Sequence, residues 1–390
     1  MTGMPDRIGR YTVAKELGSG GMGEVYLAYT PGGDPVAVKR IRSDKLDPLM
    51  RARFEKEALI ARTVIGTNRV ARFLDADPFA DRPWLAMEYV AGRTLLACVD
   101  EDGVLPTALV ASLGALLAEG LSAVHSAGLL HRDLKPQNVV MGKDGPVIID
   151  FGLGAFMDAA TESLSHSGMI IGTVRCMPPE QASGQPKVTP AADVYALGTV
   201  LLYAAARHYP YDGAAWEAVA VQVANPAIGP DLSGVPDTIK PLIASMLAFV
   251  PEERPTLGAV ADGCAQLLKS AGLPPAEARL QLIARTTAGG TPDAAKEPLS
   301  PSFEKLLEAQ GKIVEISGPD SPLDGLKTDA KADADAAQAD VEQNVTPGEP
   351  ARPVSDAPAE PKVRSKAGRP PASKRVADEL RTEYAVNTAL

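Results

Sequence analysis

Cysteine is sparse in this chain and never paired: Cys98, Cys176 and Cys264 stand far apart, with no CxxC spacing. That argues against a disulfide framework or a cysteine-built zinc cluster, and it suits a reducing cytosol with the thiols as small packing residues. Positive charge is in deficit too. A net charge of −10 does not suit a general nucleic-acid binder, because a phosphate backbone repels it. The first residues, Met1 to Arg10, have no apolar core, so no signal peptide is expected there. A membrane span needs about 20 mostly apolar residues. The longest apolar stretch, Ala108 to Leu130, is broken by Ser112, Gly114, Glu119, Gly120, Ser122 and His125. It reads as a buried amphipathic helix, and the expectation is a soluble, cytoplasmic protein without a membrane span. No internal repeat is found.

Hydrophobic residues make up 45% of the 390, enough for a real core. At about 100–200 residues per domain, the length fits two or three domains, or one large domain with a tail. The composition changes near residue 286. Before it, apolar residues recur at strand and helix periods. After it, Ala, Pro, Asp, Glu, Lys, Thr and Gly dominate. Segment 326–362 has too little apolar area to offset its ordering entropy and is expected to be disordered. Phe303 to Ile316 is an exception, with the pattern of a short docking helix.

Short strands are expected at Tyr11–Leu17, Gly23–Tyr29, Pro35–Ile41, Val70–Asp75 and Trp84–Tyr89, with Pro31-Gly32-Gly33-Asp34 as a turn. Arg51–Val64 reads as a helix, and from Thr107 the pattern is mostly helical. The expected fold class is α+β, with a small β-rich lobe carrying one main helix and then a larger helical lobe.

Leu17-Gly18-Ser19-Gly20-Gly21-Met22-Gly23-Glu24-Val25 is a glycine-rich string between two expected strands. Glycines let backbone N–H groups approach phosphates. A dinucleotide fingerprint would run from strand into helix; this string runs into another strand, which favours a loop lying over a nucleotide. Lys39 follows on the next strand, flanked by Val36, Ala37 and Val38. Glu57 on the following helix would hold its ammonium near the phosphates, with Glu55 as the rival assignment.

The most specific string is His131-Arg132-Asp133-Leu134-Lys135-Pro136-Gln137-Asn138. Asp133 is expected to orient a hydroxyl or take its proton, Lys135 to neutralise a phosphoryl group in transfer, and Asn138 to bind magnesium. Asp150, in Asp150-Phe151-Gly152, is the expected second magnesium ligand.

Taken in order, these strings and Pro178-Pro179-Glu180 resemble the eukaryotic-like protein kinases, specifically the bacterial Ser/Thr kinases, over roughly Ile8 to Leu268. TPGGDPVAVKRIR and VPDTIKPLIASMLAFVPEERPT look like actinobacterial members. The resemblance implies a two-lobed kinase domain over 8–270, with a small lobe to about 90 and a larger one from about 91; the rest divides into a linker over 271–300, a possible docking helix over 301–316 and a disordered tail over 317–390. It implies ATP with Mg2+ (Mn2+ as a substitute), protein substrates with Ser/Thr acceptors, and a homodimer for autophosphorylation in trans. Met87 would be the gatekeeper, Glu88 and Val90 would offer backbone hydrogen bonds to adenine, and Leu17, Val25, Ala37 and Val140 would sandwich it. Glu180 would pair with Arg254, Asp193 would brace the catalytic loop, and Thr173 would contact Asp133 and Lys135. Arg132 would meet a phosphate on the activation loop, at Thr161, Ser163, Ser165, Ser167 or Thr173; Ser165 and Ser167 are favoured. Val174-Arg175-Cys176 departs from the more usual Pro-Gly-Tyr/Phe type of sequence, and Gly154 stands where Ala is commoner.

The tail holds a basic patch at 364–375, RSKAGRPPASKR. It faintly resembles a minor-groove hook, but short basic runs are usually solvated linkers, so nucleic acid is not the expected partner. A pseudokinase scaffold is the first rival reading; Lys39, Glu57, Asp133, Asn138 and Asp150 together argue against it. A small-molecule phosphotransferase is the second; Thr173 and Glu180 argue for protein substrates instead.

Overall fold

The computed structural model describes residues 4–20, 23–41, 51, 55, 58, 61–64, 67–150, 174–184 and 188–287. These belong to the first of the chain's two compact units, Met1–Asp320. Gly21, Met22, Glu57, Thr161, Ser163, Ser165, Ser167 and Thr173 lie outside the described residues, as do Gly154, the docking helix expected at 301–316 and the basic patch at 364–375.

Six antiparallel strands form the first sheet: β1 Arg7–Ile8, β2 Tyr11–Gly20, β3 Gly23–Tyr29, β4 Pro35–Ile41, β5 Phe73–Asp77 and β6 Trp84–Glu88, in the order β1-β2-β3-β4-β6-β5. Alternation sets its two faces. Tyr11, Val13, Tyr26, Ala28, Val36, Val38, Trp84 and Ala86 gather in one cluster, with the Tyr11 and Trp84 rings edge-on at 5.7 Å. Leu85, Met87 and Ala37 form another cluster, on the face that also carries Lys39. Residues 51, 55, 58 and 61 are helical, and Arg51 donates to the carbonyls of Pro78 and Ala80 in the β5–β6 turn.

The strand expected from Val70 begins instead at Phe73. Residues 69–71 bond elsewhere: Ile148 N–H donates to the Arg69 carbonyl at 2.7 Å and Ala71 N–H to the Ile148 carbonyl at 2.9 Å. Those bonds join the small lobe to the large one and leave no register for Val70 on β6.

Among the described residues, the larger lobe holds a three-stranded sheet, β7 Gly92–Thr94, β8 Val139–Gly142 and β9 Gly145–Ile148, and eight α-helices. These are α1 Leu95–Asp102, α2 Thr107–Ser126, α3 Pro179–Ala182, α4 Pro190–Ala206, α5 Trp216–Val223, α6 Lys240–Met246, α7 Leu257–Ser270 and α8 Pro275–Thr287. Among the described residues α2 is the one helix long and apolar enough to cross a membrane. It is the central core helix: Leu113, Leu117, Leu121 and Val124 are fully buried, and each such side chain stabilises the fold by about 1.5–3 kcal/mol. α4 is buried nearly all round, which explains a helix with little amphipathic character.

The linker expected over 271–300 is corrected for 275–287, which form α8. Pro275 opens it, and Ala278 and Leu282, four residues apart, are buried. The composition shift near 286 follows the end of this packed helix and does not mark its beginning.

Gly92 opens β7 with no room for a side chain: a Cβ there would lie 2.3 Å from the Met141 carbonyl oxygen. Gly92→Ala is therefore expected to destabilise the fold by about 1–3 kcal/mol through overpacking. The measurement is a lower urea midpoint with an unchanged m value.

Candidate active site

The glycine string is the β2–β3 hairpin, with Gly18 opposite Val25, Ser19 opposite Glu24 and Gly20 opposite Gly23. Gly23 has φ 152°, and a Cβ on it would fall 1.9 Å from the Arg40 carbonyl oxygen. Only glycine lets the hairpin lie this close to β4. Directly paired residues share a face: Val25 is opposite Lys39, Lys39 opposite Leu85, and Ala37 opposite Met87. Val25, Ala37, Lys39 and Met87 thus lie together, and Val140, 7% exposed, pairs with Thr94 at the start of the other lobe. Glu88 N–H donates to the Arg72 carbonyl at 2.8 Å, and Arg72 Nε reaches the Glu88 carboxylate at 3.0 Å. Leu17 is exposed near the hairpin.

Lys39, a buried lysine, lies 3.0 Å from Asp150 Oδ2 across 111 residues of sequence. Sequence spacing alone cannot deliver such a contact; it joins the two lobes at one point. The expected partner Glu57 falls outside the described residues.

Around Asp133 the chain builds a dense polar cluster. Lys135 Nζ donates to Oδ2 at 2.8 Å and to Oδ1 at 3.0 Å. Asn138 Nδ2 donates to the Asp133 carbonyl at 2.8 Å and to its Oδ2 at 3.2 Å. With Nδ2 so engaged, Asn138 Oδ1 is the atom left to ligate a cation. Ile149 N–H donates to the Asn138 carbonyl at 2.9 Å, which sets Asp150 one residue away. A carboxylate and an amide oxygen on two segments joined by this backbone bond suit a hard divalent cation that keeps its remaining sites for water and phosphate.

Arg132 and Asp150 both adopt left-handed backbone, φ 63° and 60°. Such conformations cost about 1–3 kcal/mol each in a non-glycine residue, and persist where the surroundings over-determine them. At Arg132 the constraint is visible. Asp193, fully buried, accepts from the N–H groups of His131 and Arg132, both at 2.9 Å.

Two histidines support this loop, and the sequence alone assigns neither a role. His125 Nε2 lies 2.7 Å from Asp193 Oδ2. Asp133 N–H donates to His131 Nδ1 at 3.3 Å, so the ring's other nitrogen, 3.1 Å from the Ile149 carbonyl, carries the proton. The only signal for His131 is its place in the motif; His125 lies on the apolar helix α2 with nothing local to mark it.

Burial alone would raise the carboxyls of Asp150 and Asp193. The Lys39 charge and hydrogen bond overcome it at Asp150, and the His125 hydrogen bond with the His131 N–H at Asp193, so both sit below the usual carboxylate range. A carboxyl depressed in the fold contributes stability that is present above its unfolded value of about 3.9 and is lost as pH falls through the lower folded value. Unfolding free energy should therefore fall in acid below about pH 5, and Asp193→Asn should flatten that fall. Urea unfolding of both proteins across this range is the check.

Glu180 and Arg254 form a buried bidentate pair, both bonds 2.8 Å. Arg254 also donates to the carbonyls of Ala248, Ala191 and Phe249 and stacks 5.0 Å from the Tyr195 ring centre. Val174 and Cys176 are buried; Arg175 pairs with Asp212 and lies over the Tyr209 ring. A cavity of about 600 Å3 opens there, with Tyr203, Arg207 and His208 also in its lining. It is separate from the Asp133–Asp150 cluster.

A family model described as the protein kinase domain matches residues 11–270. A protein of Thermomonospora curvata named as a probable serine/threonine-protein kinase, PkwA, is 42% identical over 255 residues, covering 65% of this chain and 34% of that protein. The serine/threonine-protein kinase AfsK of Streptomyces coelicolor is 43% identical over 253 residues, covering 64% of this chain and 31% of that protein. The chain thus spans about a third of the length of these curated relatives. Among solved structures, a point mutant of the Mycobacterium tuberculosis PknI kinase domain superposes with a TM-score of 0.53 at 27% identity, covering 70% of this chain and 100% of that one.

Proposed function

The chain belongs to the protein kinase family, and from that premise we propose that it transfers the γ-phosphoryl group of ATP to Ser or Thr hydroxyls of proteins in bacterial signalling. The observation that carries the reading is the meeting of Lys39 with Asp150, 3.0 Å apart, beside the Asp133–Lys135–Asn138 cluster.

Each residue then has a definite task. Gly18, Ser19, Gly20, Gly21, Met22 and Gly23 cover the phosphates, and Lys39 pairs with them, with Glu57 as its partner. Leu17, Val25, Ala37 and Val140 enclose the adenine beside Met87, Glu88 and Val90. Asp133 orients the acceptor hydroxyl and takes its proton, Lys135 offsets the charge on the moving phosphoryl group, and Thr173 holds the two in line. Asn138 and Asp150 would hold the divalent cation, Mg2+ with Mn2+ as a substitute. When bound, it would offset the negative charge of the phosphates during transfer. Glu180, Arg254 and Asp193 hold the frame.

Further parts of the reading concern control and setting. Autophosphorylation at Ser165 or Ser167, in trans within a homodimer, would give Arg132 a phosphate of about −1.5 to −2 charges to bind. A cytoplasmic setting is supported by three free, buried cysteines. Residues 301–316 are proposed to dock, and 317–390 to act as a tail that does not recognise nucleic acid.

The test incubates the full chain with ATP and a generic Ser/Thr acceptor protein in Mg2+, Mn2+ or chelator, followed by phosphosite mapping. Cation-dependent label on the acceptor and on Ser165 or Ser167 is expected. An acceptor unlabelled with every cation would overturn the reading.

A further inference from the structure

The matched family span ends at residue 270, yet α8 at Pro275–Thr287 packs against β7, β8, β9, α2 and α7. Near its start, Arg279 Nη2 donates to the Asp144 carbonyl at 2.8 Å, in the β8–β9 turn. At its other end the Thr286 carbonyl accepts from Arg93 Nη2 at 3.1 Å and from Cys98 Sγ at 3.7 Å. Carbonyls in a helix's last turn lack intrahelical partners and carry the negative end of the dipole, so a guanidinium is a matched ligand.

Arg93 is the middle residue of β7, and its side chain is only 8% exposed. Besides Thr286 it holds Glu101 at 2.8 Å and Asp102, both at the end of α1. Arg285 of α8 donates to the Asp102 carbonyl and lies 3.7 Å from its carboxylate. One guanidinium therefore ties together the strand between the lobes, α1 and α8. The same strand lies against the nucleotide residues. Thr94 faces Val140 and Gly92 faces Gly142; a Cβ on Gly142 would lie 3.2 Å from Val90. Val90 and Val140 are the residues assigned to adenine above.

We propose that Arg93 is a positioning residue for the nucleotide, holding β7 against α1 and α8 so that Val90 and Val140 keep the spacing that adenine requires. The inference rests on the nucleotide-binding reading of this site. Opening the clasp frees β7 from its rear anchor and weakens adenine contacts, while Asp133 and Lys135 keep their own bonds. ATP affinity falls more than turnover.

The experiment titrates the full chain with ATP and Mg2+ by calorimetry and measures kcat and thermal stability for wild type, Arg93→Gln, Arg93→Lys, Arg285→Gln and a control, Leu268→Ala. Leu268 is a buried residue of α7 that takes no part in the hydrogen bonds of the Arg93 clasp. Arg93→Gln should raise Kd about 3–30-fold with a smaller change in kcat, Arg285→Gln should shift Kd the same way, and Arg93→Lys should restore part of it. Wild-type affinity in both Gln variants would overturn the proposal. So would an equal rise in Leu268→Ala, which would mean general loosening. Should Arg93→Gln fail to fold, Arg285→Gln decides, since its side chain is partly exposed at the rim. A wild-type chain that binds no ATP would instead refute the nucleotide-binding reading itself.

Discussion

Asp133→Asn is expected to lower kcat by roughly 10²–10⁴-fold, the contribution of a well-placed general base, with little change in KM for ATP. The isosteric amide keeps the size of the side chain, and its one oxygen, set in the place of Oδ2, can still accept from Lys135 and Asn138, now at 2.8 and 3.2 Å, while the Lys135 bond to Oδ1 is lost. It cannot take a proton from a hydroxyl. A loss confined to kcat identifies an interaction made in the transition state; a matching rise in KM would mean that the substitution disturbs nucleotide binding instead. Steady-state kinetics at varied ATP with a protein acceptor separates the two. A fall of less than about tenfold would remove Asp133 from the base role.

Arg254→Met should destabilise the domain by about 3–5 kcal/mol, because it strands the Glu180 carboxylate in the interior. For a domain of this size that corresponds to a drop in Tm of about 6–20 °C. The side chains of Arg254 and Glu180 are 0% and 4% exposed, so water cannot replace the lost partner. Adding Glu180→Leu should recover part of the loss, since the charge is then gone from both sides. Recovery stays incomplete because the carbonyls of Ala248, Ala191 and Phe249 also lose a donor. Thermal or urea unfolding of the two single variants and the double variant measures the coupling. Additive effects would mean that the pair does not act as a unit.

Much of this architecture is legible in the residues, and the exceptions share a cause. β3 at Gly23–Tyr29 and β4 at Pro35–Ile41 start and stop where the sequence places them, because glycine and proline mark their ends by local geometry. The buried helix α2 is legible because its polar interruptions argue against a lipid-facing surface. The fold class follows from the order of these elements. Val70 has a strand-like local pattern; the bonds that take residues 69–71 to Ile148 come from the other lobe, and no local pattern records them. α8 resembles a linker for the same reason. Ala278 and Leu282 stand among other apolar residues, Leu280 and Ile283, in a stretch with only three charges; which of them are buried depends on a surface built by β7, β8, β9 and α2.

The site divides in the same way. Asp133, Lys135 and Asn138 lie within six residues of one another, so a short string suffices to group them. The pairing of Glu180 with Arg254 is implied by the resemblance alone, not by spacing. The Lys39–Asp150 contact, Asp193 beneath His131 and Arg132, and Arg93 against Thr286 join distant segments. Only the fold brings those groups together.

The most direct test of the central claim is phosphoamino-acid identification after the full chain is incubated with magnesium and γ-labelled ATP, alongside Asp150→Asn. Label on serine or threonine is expected with the wild type and none with the variant, which loses the carboxylate that Lys39 contacts and that is proposed to hold the divalent cation. ATP binding by the wild type with no label on the chain or on a protein acceptor would contradict that claim and leave a nucleotide-binding scaffold in its place.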